Sequence, residues 1–233
     1  MIHFFSGAPK NGSHFQLYVF LKALEQQNIE HNCIDVKPFS CRSYSICSKV
    51  LNDFGKEDGF FWIKSHFGPN TKDIETLVCA NNIRMYVIWR DIRDVLVSSY
   101  FFQLRFRGIG HKDFVDYYRK NGVKKIVKQC VFKKNWTFND DRVCHSDYNA
   151  LVNNFEPNAN NILKHAGIQN VDLADLKDRM SIDRCRIEHE DPEGKFFRKG
   201  IVGDYKNVIP ADFLSKVESD IKKYEAKYGI KIR

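Results

Sequence analysis

Residues 2–15 read Ile-His-Phe-Phe-Ser-Gly-Ala-Pro-Lys-Asn-Gly-Ser-His-Phe, and they predict a strand, a loop and the beginning of a helix. The apolar run 2–5 predicts the strand, and apolar residues at helical spacing from Phe15 to Leu24 predict the helix. A loop that ends at a helix N-terminus points backbone N–H groups and the positive end of the helix dipole at one place. The stretch therefore predicts a binding site for a phosphate or a similar anion.

The loop has the glycine spacing of an NTPase phosphate loop, but its lysine stands elsewhere. Gly7 and Gly12 are separated by four residues, as in that motif. The motif places Lys directly after the second Gly, next to a magnesium-binding Ser or Thr; here Ser13 and His14 follow, and the lysine is Lys10. This favours transfer of a group less charged than phosphoryl, with no metal. A degenerate P-loop nucleotide kinase and a non-catalytic nucleotide-binding module are the alternatives.

Two further segments carry cations suited to phosphate. Arg90 ends a predicted strand, and Ser98 lies two turns into the following predicted helix, so guanidinium and hydroxyl can converge on one phosphate. In the other segment, Arg198 and Lys199 precede Gly200, which permits a close approach of the backbone. Together the three segments predict a ligand with several anionic groups.

The composition is compatible with several kinds of partner. The chain has 233 residues, a formal charge of +8 and a pI of about 9.0, which suits nucleic acid, membrane surfaces or small polyanions. The Lys and Arg residues are scattered except for Arg119-Lys120 and Lys124-Lys125, which we interpret as a solvated helix face. Since no RNA-binding signature is present, we expect no nucleic acid partner.

The cysteines and the N-terminus bear on the cellular compartment. The seven cysteines are odd in number and lack the close pairing of a zinc site, so we interpret them as reduced thiols. The sequence begins without a signal-peptide core, and no run approaches the ~18 apolar residues of a spanning helix. We therefore expect a cytoplasmic protein with no membrane partner.

Strands and helices alternate along the chain. The predicted strands are 2–6, 31–36, 60–64, 83–89 and 142–145; the predicted helices are 13–27, 71–81, 92–105, 113–133, 158–165 and 211–228, and 188–203 is predicted as a loop that can fold over a ligand. This order predicts one α/β domain over residues 1–233, a P-loop-like three-layer sandwich with a central parallel sheet flanked by helices. Such sheets bind their ligand at the carboxyl edge of the strands.

In order along the chain, the motifs resemble those of the sulfotransferases that use 3′-phosphoadenosine 5′-phosphosulfate (PAPS). Residues 9–15 are similar to the family's Pro-Lys-Ser-Gly-Thr-Thr-Trp loop. Residues 90–98, Arg-Asp-Ile-Arg-Asp-Val-Leu-Val-Ser, are similar to its Arg-Asn-Pro-Arg-Asp-Val-Ala-Val-Ser segment. Residues 198–200, Arg-Lys-Gly, and 203–207, Gly-Asp-Tyr-Lys-Asn, are similar to its Arg-Lys-Gly and Gly-Asp-Trp-Lys-Asn signatures. The resemblance extends from residue 6 to residue 207.

A fourth match implies the chemistry. Residues 63–66, Ile-Lys-Ser-His, resemble the family's Lys-Thr-His element, whose His takes the proton from the acceptor. The resemblance implies that His66 is the general base, because a neutral imidazole accepts a proton at physiological pH. It further implies that Lys10 offsets the charge on the departing phosphate and that Lys64 positions the sulfuryl group.

The resemblance also implies how the donor PAPS and the product 3′-phosphoadenosine 5′-phosphate (PAP) are held. The residues expected at the 5′-phosphosulfate are Lys10, Asn11, Gly12, Ser13 and His14, and those expected at the 3′-phosphate are Arg90, Ser98, Arg198, Lys199 and Gly200. Adenine is expected to stack on Phe15, where the family has Trp. His145 stands where the family has a Tyr that contacts adenine. A 3′-phosphate grip disfavours a kinase, because ATP lacks that group.

The acceptor is expected to be a hydroxyl or an amine of a small molecule or a glycan. Segments 38–44 and 100–109, the latter with Phe101, Phe102 and Phe106, are candidates for its pocket and suggest an apolar or aromatic acceptor. Core packing of these aromatic residues is an equal alternative. The family's C-terminal dimer signature is not found after residue 207, which favours a monomer over a homodimer.

Overall fold

The first strand lies in the middle of a parallel sheet. The computed structural model describes residues 1–33, 59–66, 80–194 and 197–232. The strands in these residues are β1 (Ile2–Ser6), β2 (His31–Cys33), β3 (Phe60–Ser65), β4 (Ile83–Trp89) and β5 (Val143–Asp147). Their order is β2-β3-β1-β4-β5, and each of these pairings is parallel.

Helices connect and flank these strands. In chain order they are α1 (Ser13–Gln26), α2 (Ile92–Phe101), a π-helical turn (Phe102–Phe106), α3 (Phe114–Asn135), α4 (Tyr148–Asn153), α5 (Phe155–Ala166), α6 (Leu173–Arg179), α7 (Ile182–Glu188), α8 (Tyr205–Val208) and α9 (Ala211–Tyr228). The predicted α/β class, with a central parallel sheet and flanking helices, is confirmed.

Most predicted elements agree with the structure to within a few residues, and one helix differs in kind. The predicted helix 92–105 is α-helical only as far as Phe101 and continues as the π-helical turn, in which the amide of Arg107 donates to the carbonyl of Phe102. The last predicted strand extends to Asp147. Residues 34–36 of the second predicted strand and 71–79 of the second predicted helix lie outside the described residues.

The position of β1 follows from its burial and fixes the position of the loop after it. All five residues of β1 are buried, as expected for a parallel strand covered on both faces. Ser6, the last of them, is in register with Ser65 of β3 and with Val87 of β4. The segments that follow β1 and β3 therefore leave the sheet side by side at its carboxyl edge.

The described chain divides into two compact units. Unit 1 comprises Met1–Trp89 and Asn135–Met180 and contains the sheet; unit 2 comprises Arg90–Lys134 and Ser181–Arg233. In unit 1 the ring of Phe5 stacks on Tyr86 at 4.4 Å. The core of unit 2 contains residues of α2, α3 and α9, including Val95, Ile126 and Ile221.

A buried histidine in β1 makes the stability of the fold depend on pH. His3 is fully buried, and its Nδ1 lies 2.8 Å from Oη of Tyr86. Burial, with smaller effects from the N-terminal ammonium and Arg84, lowers the pKa of His3 from 6.5 to about 3. Between these two values the unfolded chain binds a proton that the folded chain does not. This contribution to stability is therefore present above about pH 6.5 and is lost as the pH falls towards 3.

We expect the wild-type protein to lose about 2 kcal/mol of unfolding free energy through His3 between pH 7 and pH 5. The variant His3→Gln lacks this titration, so its unfolding free energy, measured with urea, should depend less steeply on pH. His189→Gln, which changes an exposed histidine, is the control and should keep the wild-type slope. Equal slopes for the wild type and His3→Gln would contradict the assignment.

Candidate active site

The loop between β1 and α1 has no space for a side chain at its two glycines. A Cβ on Gly7 would lie 2.9 Å from Cγ2 of Ile88, and a Cβ on Gly12 would lie 2.3 Å from Cδ2 of Tyr148. Gly12 also has a φ of 93°, a left-handed conformation that glycine adopts without strain. The loop is therefore held tightly between β4 and α4.

The N-terminal end of α1, which follows this loop, is suited to bind an anion. Gly12 is the N-cap residue, and among the described residues no side chain caps this end and no acid lies in the first turn. The first N–H groups of an α-helix have no acceptor within the helix, and the helix dipole adds positive potential there. A bound anion can satisfy these groups.

The residues of the loop differ in their exposure. Asn11 is buried, and its Nδ2 donates to the carbonyl of Ile88 over 3.2 Å, which fixes the orientation of its amide. Ser13 is also buried, whereas Lys10 and His14 are partly exposed. Lys10 has a φ of 77°, a left-handed conformation that costs a non-glycine residue about 1 kcal/mol. Strain of this kind is concentrated at functional sites.

His66 follows β3 and contacts the loop. Its Nδ1 lies 2.6 Å from the carbonyl oxygen of Gly7. Because a carbonyl only accepts, Nδ1 carries the proton, and in the neutral ring Nε2 is then the basic nitrogen. Lys64 lies two residues earlier, in register with Phe5 of β1. Unit 1 thus places an imidazole of defined tautomer beside the predicted anion loop.

The aromatic residues expected near the adenine lie in two separate clusters of unit 1. Phe15 meets Tyr148 edge-on at 5.8 Å and Phe155 edge-on at 6.3 Å. In the second cluster, His145 in the middle of β5 stacks on Trp89 at the end of β4, with 5.7 Å between the ring centroids. Each cluster has a partly or fully exposed member, Phe15 in one and His145 in the other.

In unit 2 a buried carboxylate holds two of the predicted phosphate-binding cations. Nη2 of Arg198 lies 2.5 Å from Oδ2 of Asp204, and Nζ of Lys199 lies 3.1 Å from Oδ1. Asp204 is only 1% exposed. Its burial by itself raises the pKa of Asp204, but hydrogen bonds from Arg198 and Lys199 outweigh this effect and lower the pKa. The carboxylate is therefore ionised and orients both cations.

Arg198 retains a donor for a further anion. Its guanidinium lies 4.4 Å from the ring centroid of Phe101, which fixes the plane of the fork. Nη1 is buried and makes no hydrogen bond to the described residues. A buried donor without an acceptor costs free energy that a bound anion would recover. The arrangement fits a phosphate that accepts a hydrogen bond from Nη1 while Nη2 stays paired with Asp204.

The remaining predicted phosphate contacts also belong to unit 2. Nη2 of Arg90 lies 3.4 Å from the carbonyl oxygen of Ile201, so Arg90 is next to the segment that carries Arg198. Gly200 has a φ of 65°, the left-handed conformation that favours glycine. Ser98 lies on α2 and is partly exposed.

Sequence reasoning missed the acids that hold this segment in place. Asp94 is buried and accepts hydrogen bonds from the backbone amides of Gly203 at 2.8 Å and Tyr205 at 3.1 Å. Arg93 pairs with Asp91 at 2.6 Å and lies 4.2 Å from the ring centroid of Tyr205. The available signal was the pair of aspartates inside the 90–98 motif.

One of the two segments predicted to line the acceptor pocket is described. Segment 38–44 lies outside the described residues. In segment 100–109, Tyr100 packs against Tyr117 at 5.6 Å, whereas Phe102 and Phe106 stack on each other at 4.8 Å. Phe106 is 58% exposed, so core packing does not account for all of these aromatic residues.

The structure brings the predicted site residues together in two groups, one in each unit. In unit 1, His66 contacts Gly7 of the loop that leads into residues 10–15; in unit 2, Arg90 contacts Ile201, the residue after 198–200. In the part of the chain that the structure describes, no cluster of three or more His, Cys, Asp or Glu is arranged to hold a metal ion. None of the described helices combines the length and the hydropathy that a membrane span requires.

The family comparison agrees with the order of these motifs. The family described as "Sulfotransferase domain" matches residues 3–229. The chain belongs to this family. The matched residues make up nearly all of this chain, and the match confirms the resemblance seen in the motifs. A search of curated proteins gave no match.

Solved sulfotransferase structures share the fold of this chain. Mouse sulfotransferase SULT7A1 complexed with PAP matches with a TM-score of 0.71 and 16% identity, over 96% of this chain and 83% of that one. Retinol dehydratase in complex with androsterone and inactive cofactor PAP matches with a TM-score of 0.66 and 14% identity, over 96% of this chain and 80% of that one. Retinol dehydratase in a complex with retinol and PAP matches with a TM-score of 0.62 and 14% identity, over 96% of this chain and 81% of that one. At these identities the likeness shows the fold.

The role of Asp204 gives a prediction for stability. We expect Asp204→Asn to lower the free energy of unfolding by about 3 kcal/mol, because Arg198 then keeps a buried charge without its partner. The matched control is Asp183→Asn, whose carboxylate is 82% exposed and 3.7 Å from Arg186, and it should unfold like the wild type. Chemical denaturation measures both variants, and equal midpoints would show that Asp204 does not support the two cations.

Proposed function

We propose that the protein is a PAPS-dependent sulfotransferase that moves a sulfuryl group to a hydroxyl or an amine of a small-molecule or glycan acceptor. The observation that carries the proposal is the contact between the imidazole of His66 and the carbonyl of Gly7, in the loop before α1 of a sulfotransferase-family chain. The solved relatives were crystallised with PAP, the product that the proposed reaction releases.

The loop residues are proposed to hold the 5′-phosphosulfate of the donor. The N-terminus of α1 supplies N–H donors, and the space left at Gly7 and Gly12 lets the backbone approach the phosphate. Asn11 braces the loop against β4, and Ser13 and His14 open the helix. Phe15 is proposed to offer its face to the adenine.

The 3′-phosphate is proposed to bind to unit 2. Arg198 has a buried Nη1 that suits this group, and Lys199 is half exposed beside the same carboxylate. Arg90 and Ser98 add a guanidinium and a hydroxyl, and Gly200 allows a close approach of the backbone. ATP lacks a 3′-phosphate, so this grip favours PAPS over ATP.

His66, Lys10 and Lys64 are proposed to carry the transfer itself. A lone pair of the acceptor forms the new bond to sulfur as the bond from sulfur to the bridging oxygen breaks, and the acceptor proton goes to Nε2 of His66. Lys10 offsets the negative charge that the bridging oxygen gains. Lys64 orients the sulfuryl oxygens. The electron pair of the broken bond leaves with PAP.

The extent of the domain and its oligomeric state are part of the proposal. We propose that residues 1–233 act as one sulfotransferase domain, because the family match runs through both units. We also propose that the protein acts as a monomer in the cytoplasm. A light-scattering mass near 27.3 kDa would support the monomer.

Donor selectivity tests the proposed function. By calorimetry without added metal, PAP should bind at least about tenfold more tightly than ATP, because one charge-assisted phosphate contact is worth this much or more. Arg198→Ala should reduce PAP affinity to nearly that of ATP, whereas the control Arg184→Ala, an exposed arginine, should not. Tighter binding of ATP with magnesium would replace the proposal with a kinase.

The base role of His66 has its own test. In His66→Asn an amide nitrogen can take the place of Nδ1 and donate to Gly7, but the basic Nε2 is gone. We expect unchanged PAP affinity and a loss of turnover of about 10²- to 10⁴-fold, the range of general-base catalysis. Turnover is followed by mass spectrometry as the gain of one SO₃ unit on alcohols, phenols and amines. Full turnover in this variant would remove His66 from the base role.

A further inference from the structure

The side chain of Arg186, on α7, is bonded to the backbone of the segment that carries the proposed 3′-phosphate grip. Its Nε donates to the carbonyl of Phe197 over 2.8 Å, and its Nη2 donates to the carbonyl of Arg198. One planar guanidinium thus joins two successive carbonyls. Because Arg198 carries a donor proposed to bind phosphate, these bonds fix the main chain from which that donor extends.

The turn after α7 holds the same backbone from its other side. The amide of Phe197 donates to Oδ2 of Asp191 over 2.7 Å, and the amide of Asp191 donates to the carbonyl of Arg186 over 2.9 Å. The ring of Phe197 also stacks on His189, with 5.1 Å between the ring centroids. The backbone on both sides of Phe197 is therefore bonded to a side chain of α7 or of the turn after it.

The guanidinium of Arg186 lies in a closely packed place. A Cβ on Gly194 would lie 2.7 Å from Nη2 of Arg186 and 3.1 Å from the carbonyl oxygen of Phe197. The amide of Gly194 donates to the carbonyl of Asp191 over 3.0 Å, which holds the glycine beside the guanidinium. The turn after α7 thus leaves room for the planar fork and for nothing larger.

Arg186 differs from the proposed phosphate ligands in what its nitrogens contact. Nε and Nη2 are bonded to the two carbonyls, and Nη1 lies 3.7 Å from Oδ1 of Asp183. Its contacts are therefore to the protein itself. Its positive charge is a second way in which it could act on an anion, and a lysine in its place would keep that charge without the fork.

The side chain of Arg198 is fixed at its far end as well. Its guanidinium lies 4.4 Å from the ring centroid of Phe101, and Nη2 lies 2.5 Å from Oδ2 of Asp204. Nη1 is buried and makes no hydrogen bond to the described residues. With the main chain held by Arg186 and the fork held by Asp204, Nη1 has one fixed direction. Hydrogen bonds weaken steeply when their angle is poor, so this direction decides how well Nη1 binds a phosphate.

We infer that Arg186 is a positioning residue of the proposed 3′-phosphate site and determines how strongly the protein prefers a nucleotide with a 3′-phosphate. It acts through Arg198, and it acts by the geometry of its fork. The inference rests on the proposed function, which assigns the 3′-phosphate to Arg198. Arg186 lies outside the motifs at 90–98, 198–200 and 203–207, so nothing in those motifs indicated this role.

The ratio of two nucleotide affinities tests the inference. PAP and adenosine 5′-phosphate differ only in the 3′-phosphate. In calorimetry without added metal, the wild type should bind PAP at least about tenfold more tightly than adenosine 5′-phosphate. In Arg186→Lys the charge remains, but an ammonium cannot bridge the two carbonyls in one plane, so the preference should fall to about threefold or less. The affinity for adenosine 5′-phosphate should not change.

Two further variants and a control complete the experiment. Arg186→Gln, which is neutral and keeps one donor group, should show the same weak preference as Arg186→Lys. The double variant Arg186→Lys/Arg198→Ala should match Arg198→Ala alone, because a residue that acts through Arg198 has no further effect once Arg198 is gone. The control Arg184→Lys changes an exposed arginine of the same helix and should keep the wild-type preference.

Three results would overturn the inference and leave the proposed function standing. A wild-type preference in Arg186→Lys would show that the charge is sufficient. Equal losses of affinity for both nucleotides would show a general structural role. A loss in the double variant beyond that of Arg198→Ala would show that Arg186 acts independently of Arg198. A wild type that binds the two nucleotides equally would instead overturn the proposed 3′-phosphate site, and the inference with it.

Discussion

The tight fit of the loop after β1 is the constraint on which the proposed donor site depends. At Gly7 and Gly12 the neighbouring side chains of Ile88 and Tyr148 leave no space for a Cβ. The wall of the proposed site is therefore backbone, and its amides are the groups available to an anion. This arrangement needs β1 between two parallel partners, because only then does β4 stand directly beside the loop.

The parts of the fold that were predictable from sequence have local causes. The buried run in β1, the glycines after it and the apolar spacing of α1 lie within a few residues of one another, and they gave the strand, the loop and the helix. The position of His66 was predictable because parallel strands end at a common edge. The tautomer of its ring depends on a carbonyl 59 residues away and had no local signal.

The unpredicted parts depend on contacts between distant segments. The bonds from Gly203 and Tyr205 to Asp94 join residues more than 100 positions apart, and neither segment reveals the pairing by itself. Asp204 also reduces the charge that Arg198 and Lys199 present, because one buried carboxylate offsets part of two cations. If Arg198 and Lys199 bind the 3′-phosphate as proposed, this moderated charge would hold it less tightly than bare cations would and would favour release of PAP.

The contact between His66 and Gly7 also affects how the site responds to motion. The imidazole contacts the same peptide segment that is proposed to hold the cosubstrate. When thermal fluctuation displaces that segment, the ring is carried along with it. In the proposed reaction, this link would keep Nε2 of His66 at a nearly constant distance from a sulfuryl group held by the loop, so that the two stay aligned without a rigid protein.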